Sequence, residues 1–224
     1  MMTKNRFAQV LCVFVLAITT IVAIGGCRTV MTTAAYLILG TDQPAEWDGL
    51  REKRVVVYCQ GISAVKNVVP NVDSEIARQL SRLLKSNVKE CDVVDYGEVA
   101  DWLDNLENNY QDPVEIGEAF NADYIVVIEL TKFQLHEGQT LLRGQAEGRI
   151  QIVDCSAEKY GDVPFERERK VVYPPNVPFD TAQKDEREFK KQFIGVVSDH
   201  FGRYFYPHDG YANYAVDSYA HQPR

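Results

Sequence analysis

The sequence predicts an α/β (α+β) domain: a mixed sheet of about five strands flanked by helices, in the order β-α-β-α-α-β-β-β-α. Three observations predict it. Apolar runs short enough to be buried strands, RVVVYC and YIVVIEL, alternate with helical patterns of period three to four. After residue 140 the period changes to two, as in a half-buried antiparallel hairpin. Proline and charge then lead into one more amphipathic helix.

The first strand is Arg54 to Cys59, closed by Gln60-Gly61. Val72, Ile76, Leu80, Leu83 and Leu84 recur at helical spacing through NVDSEIARQLSRLLKSNV, with Asp73 or Ser74 as the expected N-cap. CDVVDYGEV reads as the second strand and its exit, followed by a short helical piece around Val99 to Leu106. Asp112-Pro113-Val114-Glu115 combines an N-cap, a proline at the first helical position and an acid in the first turn. That helix should stop at Asn121, which tolerates the left-handed conformation.

Tyr124 to Leu130 is almost wholly apolar, as a central strand should be. Ala146, Gly148, Ile150 and Ile152 then share one face, with Glu147, Arg149 and Gln151 on the other. SAEKYGD makes a turn into a strand over Val163 to Val172, whose run Glu166-Arg167-Glu168-Arg169-Lys170 is expected to guard a sheet edge against pairing. A docking strip is the rival reading of the same charges. The last helix is expected from about Gln183 to Phe205, burying Phe189, Phe193, Val196, Val197, His200 and Tyr204. Residues 207–224 have no period and read as a loose tail. Tyr211, Tyr214 and Tyr219 within it could serve as a partner-binding strip.

The amino terminus carries the address. Lys4 and Arg6 precede an uncharged stretch from Phe7 to Ile24, which ends in Ile24-Gly25-Gly26-Cys27. A basic start, an apolar middle and small residues before a cleavage point make an export signal over residues 1–26. An uncleaved anchor helix is the rival reading, since the stretch approaches the ~20 residues that span a bilayer. Cys27 favours the first. Gly26-Cys27 resembles the cleavage point in the lipobox of bacterial lipoproteins, with Ile24 and Gly25 as mild departures. The resemblance implies lipidation at Cys27, a membrane lipid as the anchor, and, with Arg28 rather than Asp following, the periplasmic face of the outer membrane. Residues 27–52 would form a short tether, holding the domain at residues 53–206 close to the membrane.

The chain has 224 residues, 46% of them hydrophobic and 25% charged, with a formal charge of −8. Removing Lys4 and Arg6 and no acid takes that to −10. No local basic patch stands out, so nucleic acid is excluded as the main ligand. Outside the signal and Cys27 stand Cys59, Cys91 and Cys155, an odd count. Were their strands neighbours, Cys59 and Cys91 would sit at opposite ends, ~13 Å apart, too far for a disulfide.

Catalytic chemistry is hard to find. His136-Glu137 lacks the second histidine of a metalloprotease helix, and packing at a helix and its end accounts for His200 and His208. No nucleophile motif, phosphate-cradling glycine loop or dinucleotide fingerprint appears. No catalytic residue, metal or cofactor is expected. A ligand pocket, if present, should lie at the carboxyl ends of the parallel strands, at Gln60, Gly61, Tyr96 and Gly97.

Segments EAFNADYIVVIEL and IQIVDCSAEKYGDVPFE, with the element order, resemble the TolB amino-terminal type of envelope α/β domain. That type is shared by curli-secretion lipoproteins and by lipoprotein activators of penicillin-binding proteins. The resemblance covers about residues 53–206, with Asn121 where the group has glycine. It implies a scaffold that binds envelope proteins rather than a catalyst. There is no room for two long membrane-spanning hairpins, which argues against a pore, and the short tether argues against reaching through the cell wall. The leading expectation is therefore a non-catalytic adaptor in an envelope complex. A ligand-binding or enzymatic domain and a structural homo-oligomer are the alternatives.

Overall fold

A computed structural model describes residues 42–105, 112–156 and 158–210. Gly26, Cys27, the tether up to residue 41 and the tail from residue 211 lie outside the described residues. From Gln43 onward the described residues belong to one unit.

Its elements follow in order: β1 (Arg54–Gly61), α1 (Ser63–Val68), α2 (Val72–Asn87), β2 (Asp92–Val93), α3 (Tyr96–Asp104) and α4 (Pro113–Ala119). Then come β3 (Tyr124–Glu137), β4 (Leu141–Asp154), β5 (Phe165–Tyr173), β6 (Phe179–Asp180) and α5 (Glu186–Gly202). The sheet order is β2-β1-β3-β4-β5, with β6 also pairing β4. Asp42–Gln43 and His208–Asp209 are two-residue strands outside this sheet. The fold is therefore a mixed α/β fold with a parallel half, β2-β1-β3, and an antiparallel half, β3-β4-β5.

Alternation along the strands sorts the side chains to two faces. Val55, Val57 and Cys59 of β1 join Val126, Ile128 and Leu130 of β3 beneath α2 and α5. Val56, Ile125, Val127 and Val153 face the other way, against Val99 of α3 and Val114 and Ile116 of α4. The parallel half is thus covered on both sides, which is why its strands read as unbroken apolar runs. Beyond it, in β4 and β5, that second face carries cross-strand charges. Arg149 bridges Glu129 at 2.5 Å and Glu166 at 3.1 Å, and Glu147 pairs with Lys132 and Lys170.

Strand β3 continues seven residues past the expected end at Leu130, through a register shift between Leu130 and Lys132. The extra residue is Thr131, whose hydroxyl donates to the Glu147 carbonyl at 3.0 Å. The insertion reverses parity, so Lys132 meets Glu147 while Phe133 and Leu135 return to the core. Gly144 of β4 leaves room for the Phe193 ring of α5, which a Cβ there would meet at 2.5 Å.

Several boundaries differ from expectation. Helix α2 starts at Val72, because Asn71 adopts a left-handed conformation (φ 62°) and reverses the chain after α1; neither Asp73 nor Ser74 is the N-cap. The segment before it contains α1. Strand β2 is only two residues long, because Asp95 already caps α3 by accepting from Gly97 N–H at 2.7 Å. Asp112 caps α4 through Val114 N–H at 3.0 Å, and Asn121 has φ 50°. The last helix ends at Gly202 rather than Phe205, and Ile194, Ser198 and Phe201 of α5 are buried where Val196, His200 and, past its end, Tyr204 are only half-buried. The helix lies against both the sheet and α2, so its buried arc is wider than one stripe, and the Ser198 hydroxyl reaches the Ile76 carbonyl at 3.5 Å.

Residues 46–52, expected as the last part of the tether, carry core side chains. Leu50 is fully buried, and the Trp47 ring lies 5.6 Å from Tyr124, 6.1 Å from Phe165 and 6.3 Å from Phe205. Trp47 N–H donates to the Tyr204 carbonyl at 2.9 Å, and Glu46 pairs with Arg167.

Candidate functional site

The four residues expected at the strand ends separate into two places. Gln60 and Gly61 finish β1 beneath α1, where Val65 packs 3.5 Å from the position of a Gly61 Cβ and Tyr58 donates to the Gln60 side chain at 3.2 Å. Tyr96 and Gly97, at the start of α3, instead line an open cleft of about 300 Å³ against α2. Its opposite wall is Arg78, Arg82 and Lys85, spaced four and three residues apart and so on one helix face. All three are exposed, and among the described residues none forms an ion pair with a carboxylate.

The Arg78 guanidinium sits over the Tyr96 ring, 5.5 Å from its centre. Burial pushes the Tyr96 hydroxyl above its usual range, and a hydrogen bond with Ser74 opposes the shift. No basic patch stands out in the linear sequence because the three cations are interleaved with uncharged residues, and only helical spacing brings them to one face. The signal was the i, i+4, i+7 spacing of cations on α2. Three cations remain far short of a nucleic-acid surface.

A second concavity, of about 440 Å³, runs between β5 and α5. Val171, Tyr173 and Pro175 line one side, and Val196, His200 and Arg203 the other. Among the described residues, strand β5 is the sheet's edge and pairs with β4 alone. Its charged half behaves as a guarded edge, with every charge but Glu168 engaged: Glu166 with Arg149, Arg167 with Glu46, Lys170 with Glu147, and Arg169 with His200. The guard ends at Lys170. Val171-Val172-Tyr173 continues the edge without charge, beside the groove.

The cysteines lie apart. Cys91 precedes β2, opposite Lys53, because Arg54 is in register with Asp92; Cys59 lies six residues further along, ~20 Å away. Cys59, Cys91 and Cys155 are all free thiols. Burial, as the largest cause, pushes Cys59 well above the ordinary thiol value and both Cys91 and Cys155 to about 11, so none is an activated nucleophile. His136 lies at the end of β3, 3.5 Å from Glu186. Among the described residues no three of His, Cys, Asp and Glu converge as a metal site would require.

No family model matches the chain, and no curated protein does. Solved structures with a similar chain path do exist. The PelC dodecamer from Paraburkholderia phytofirmans is 11% identical, with 73% of this chain and 94% of that one covered and a TM-score of 0.44. Lipoprotein GNA1162 from Neisseria meningitidis is 10% identical, with 65% and 96% covered and a TM-score of 0.41. The LpoB C-terminal domain from Salmonella enterica is 10% identical, with 54% and 83% covered and a TM-score of 0.37. Bacterial lipoproteins are thus among the structures this chain is similar to, at a level of overlap that assigns no function.

Proposed function

We propose that this protein is an exported, lipid-anchored adaptor that works without catalysis, by holding an extended segment of another envelope protein against the free edge of β5. The observation that carries the binding mode is the uncharged stretch Val171-Val172 of that edge, beside a groove with an apolar lining. A segment added there would satisfy the strand's outer N–H and C=O groups and place alternate side chains toward Val171, Tyr173 and Val196.

The anchoring part rests on the sequence. Residues 1–26 act as the signal, cleavage follows Gly26, and lipid at Cys27 confines the domain to the periplasmic face of the outer membrane. Confinement raises its effective concentration for membrane-bound partners.

A photo-crosslinking residue at Val172, used in intact cells, tests the reading. One dominant foreign protein, captured by the native chain and lost in Val196→Asp, is the expected result. Capture that ignores Val196→Asp removes the groove, and self-crosslinks alone replace the adaptor with a homo-oligomer. Cys27→Ala should leave washed membranes; retention there ends the lipid-anchor claim.

A further inference from the structure

We infer that the cleft between α2 and the start of α3 is a binding site for a dianionic phosphoryl group, with Arg78, Arg82 and Lys85 as its cationic wall. This site is separate from the β5 groove, and its test stands apart from the adaptor reading.

The first argument is electrostatic. Five arginines elsewhere among the described residues are matched to a carboxylate, Arg54 to Asp92, Arg143 to Glu137, Arg149 to Glu129, Arg167 to Glu46 and Arg203 to Asp199, whereas Arg51, Arg169 and Arg187 are not. In a chain with a net charge of −8, carboxylates are plentiful, yet three cations on successive turns of α2 have none. Like charges at i, i+4 spacing repel, so the arrangement is relieved by an anion from outside. Asp95 is the cleft's acid, and its carboxylate is engaged with Gly97 N–H. Three positive groups against one negative leave a balance that matches a phosphomonoester, which carries about −1.5 to −2 at neutral pH.

The second argument is shape. The cations flank a concavity of about 300 Å³, at the small end of ligand-site volumes, rather than standing on a convex surface. Tyr96 holds the Arg78 guanidinium by its face, which orients the planar fork that suits phosphoryl oxygens. The Ser81 hydroxyl is spent on the Ala77 carbonyl, 2.9 Å away, so charge and not a hydroxyl does the recognising. Lipid headgroups and soluble phosphomonoesters share this chemistry.

Calorimetric titration of the full chain in neutral detergent with glycerol 3-phosphate, and with sodium chloride at equal ionic strength, tests the site. Binding should appear with the phosphomonoester only, weaken with added salt, and fall at least about ten-fold in the Arg78→Gln/Arg82→Gln double variant. Arg187→Gln, an exposed arginine on α5, should bind as the native chain does. No saturable heat, or an equal loss in Arg187→Gln, overturns the proposal; circular dichroism of each variant excludes misfolding as the cause. Flotation of Cys27→Ala with phosphatidylcholine vesicles, with and without phosphatidic acid, identifies the source. Flotation that needs both phosphatidic acid and the two arginines assigns the site to lipid, while soluble binding without flotation assigns it to a free phosphomonoester.

Discussion

The His200 Nδ1 atom lies 3.1 Å from the Arg169 guanidinium, a contact that requires the neutral ring to accept the hydrogen bond. Burial pushes the His200 pKa down to about 4, Arg169 and Arg203 push the same way, and Asp199 opposes them. The unfolded chain, with an ordinary histidine, takes up its proton first as pH falls below ~6.5. This contribution to stability is therefore complete above that value and is lost progressively down to about pH 4, by something on the order of 2 kcal/mol. Urea denaturation of the native chain and His200→Gln at about pH 7.5 and about pH 4.5 should show a smaller acid loss in the variant. Identical pH dependence would show that His200 is not the group responsible.

The bulge at Thr131 sets the parity of everything after it in β3. Deleting Thr131 should leave a regular ladder, Leu130 to Gly148 followed directly by Lys132 to Glu147, with Phe133 and Leu135 still facing the core, so its cost should stay within about 1–2 kcal/mol. Thr131→Ala keeps the backbone insertion and loses only the bond to the Glu147 carbonyl, about 0.5–1.5 kcal/mol. Chemical denaturation of both variants separates the two effects. A loss of several kcal/mol on deletion would mean that the bend at the bulge, and not its parity alone, holds this part of the sheet together.

Trp47 and Leu50 make residues 46–52 part of the folded body. Trp47→Ala should cost about 2–4 kcal/mol through its three aromatic neighbours. A chain beginning at residue 53 should melt at a lower temperature still, since Leu50 is lost as well. A melting temperature unchanged by either would return this segment to the tether.

Where local chemistry and tertiary packing agree, the elements were legible in the chain. RVVVYC reads as a buried strand because both of its faces are covered, and Asp112-Pro113 announces α4 because capping is local. Features that depend on a neighbour were hidden. Nothing near Thr131 reveals a bulge, so β3 read as half its length. DYGEV looked like strand because its valine and tyrosine suit one, while the Asp95 cap turns it into helix. Trp47 and Leu50 belong to no periodic run, and only their partners across the sheet explain their burial. Of the expected pocket, Tyr96 and Gly97 sit beside the cations of α2, whereas α1 closes over the Gln60-Gly61 end.

The two fastenings at the entrance to the domain, Glu46 to Arg167 and Trp47 to Tyr204, have a mechanical consequence. Tension transmitted along the chain from its amino-terminal side reaches an edge strand and the end of the last helix before it reaches β1. Several contacts must then yield together rather than one after another, so a pull applied ahead of Glu46 is resisted before it can peel β1 from the sheet.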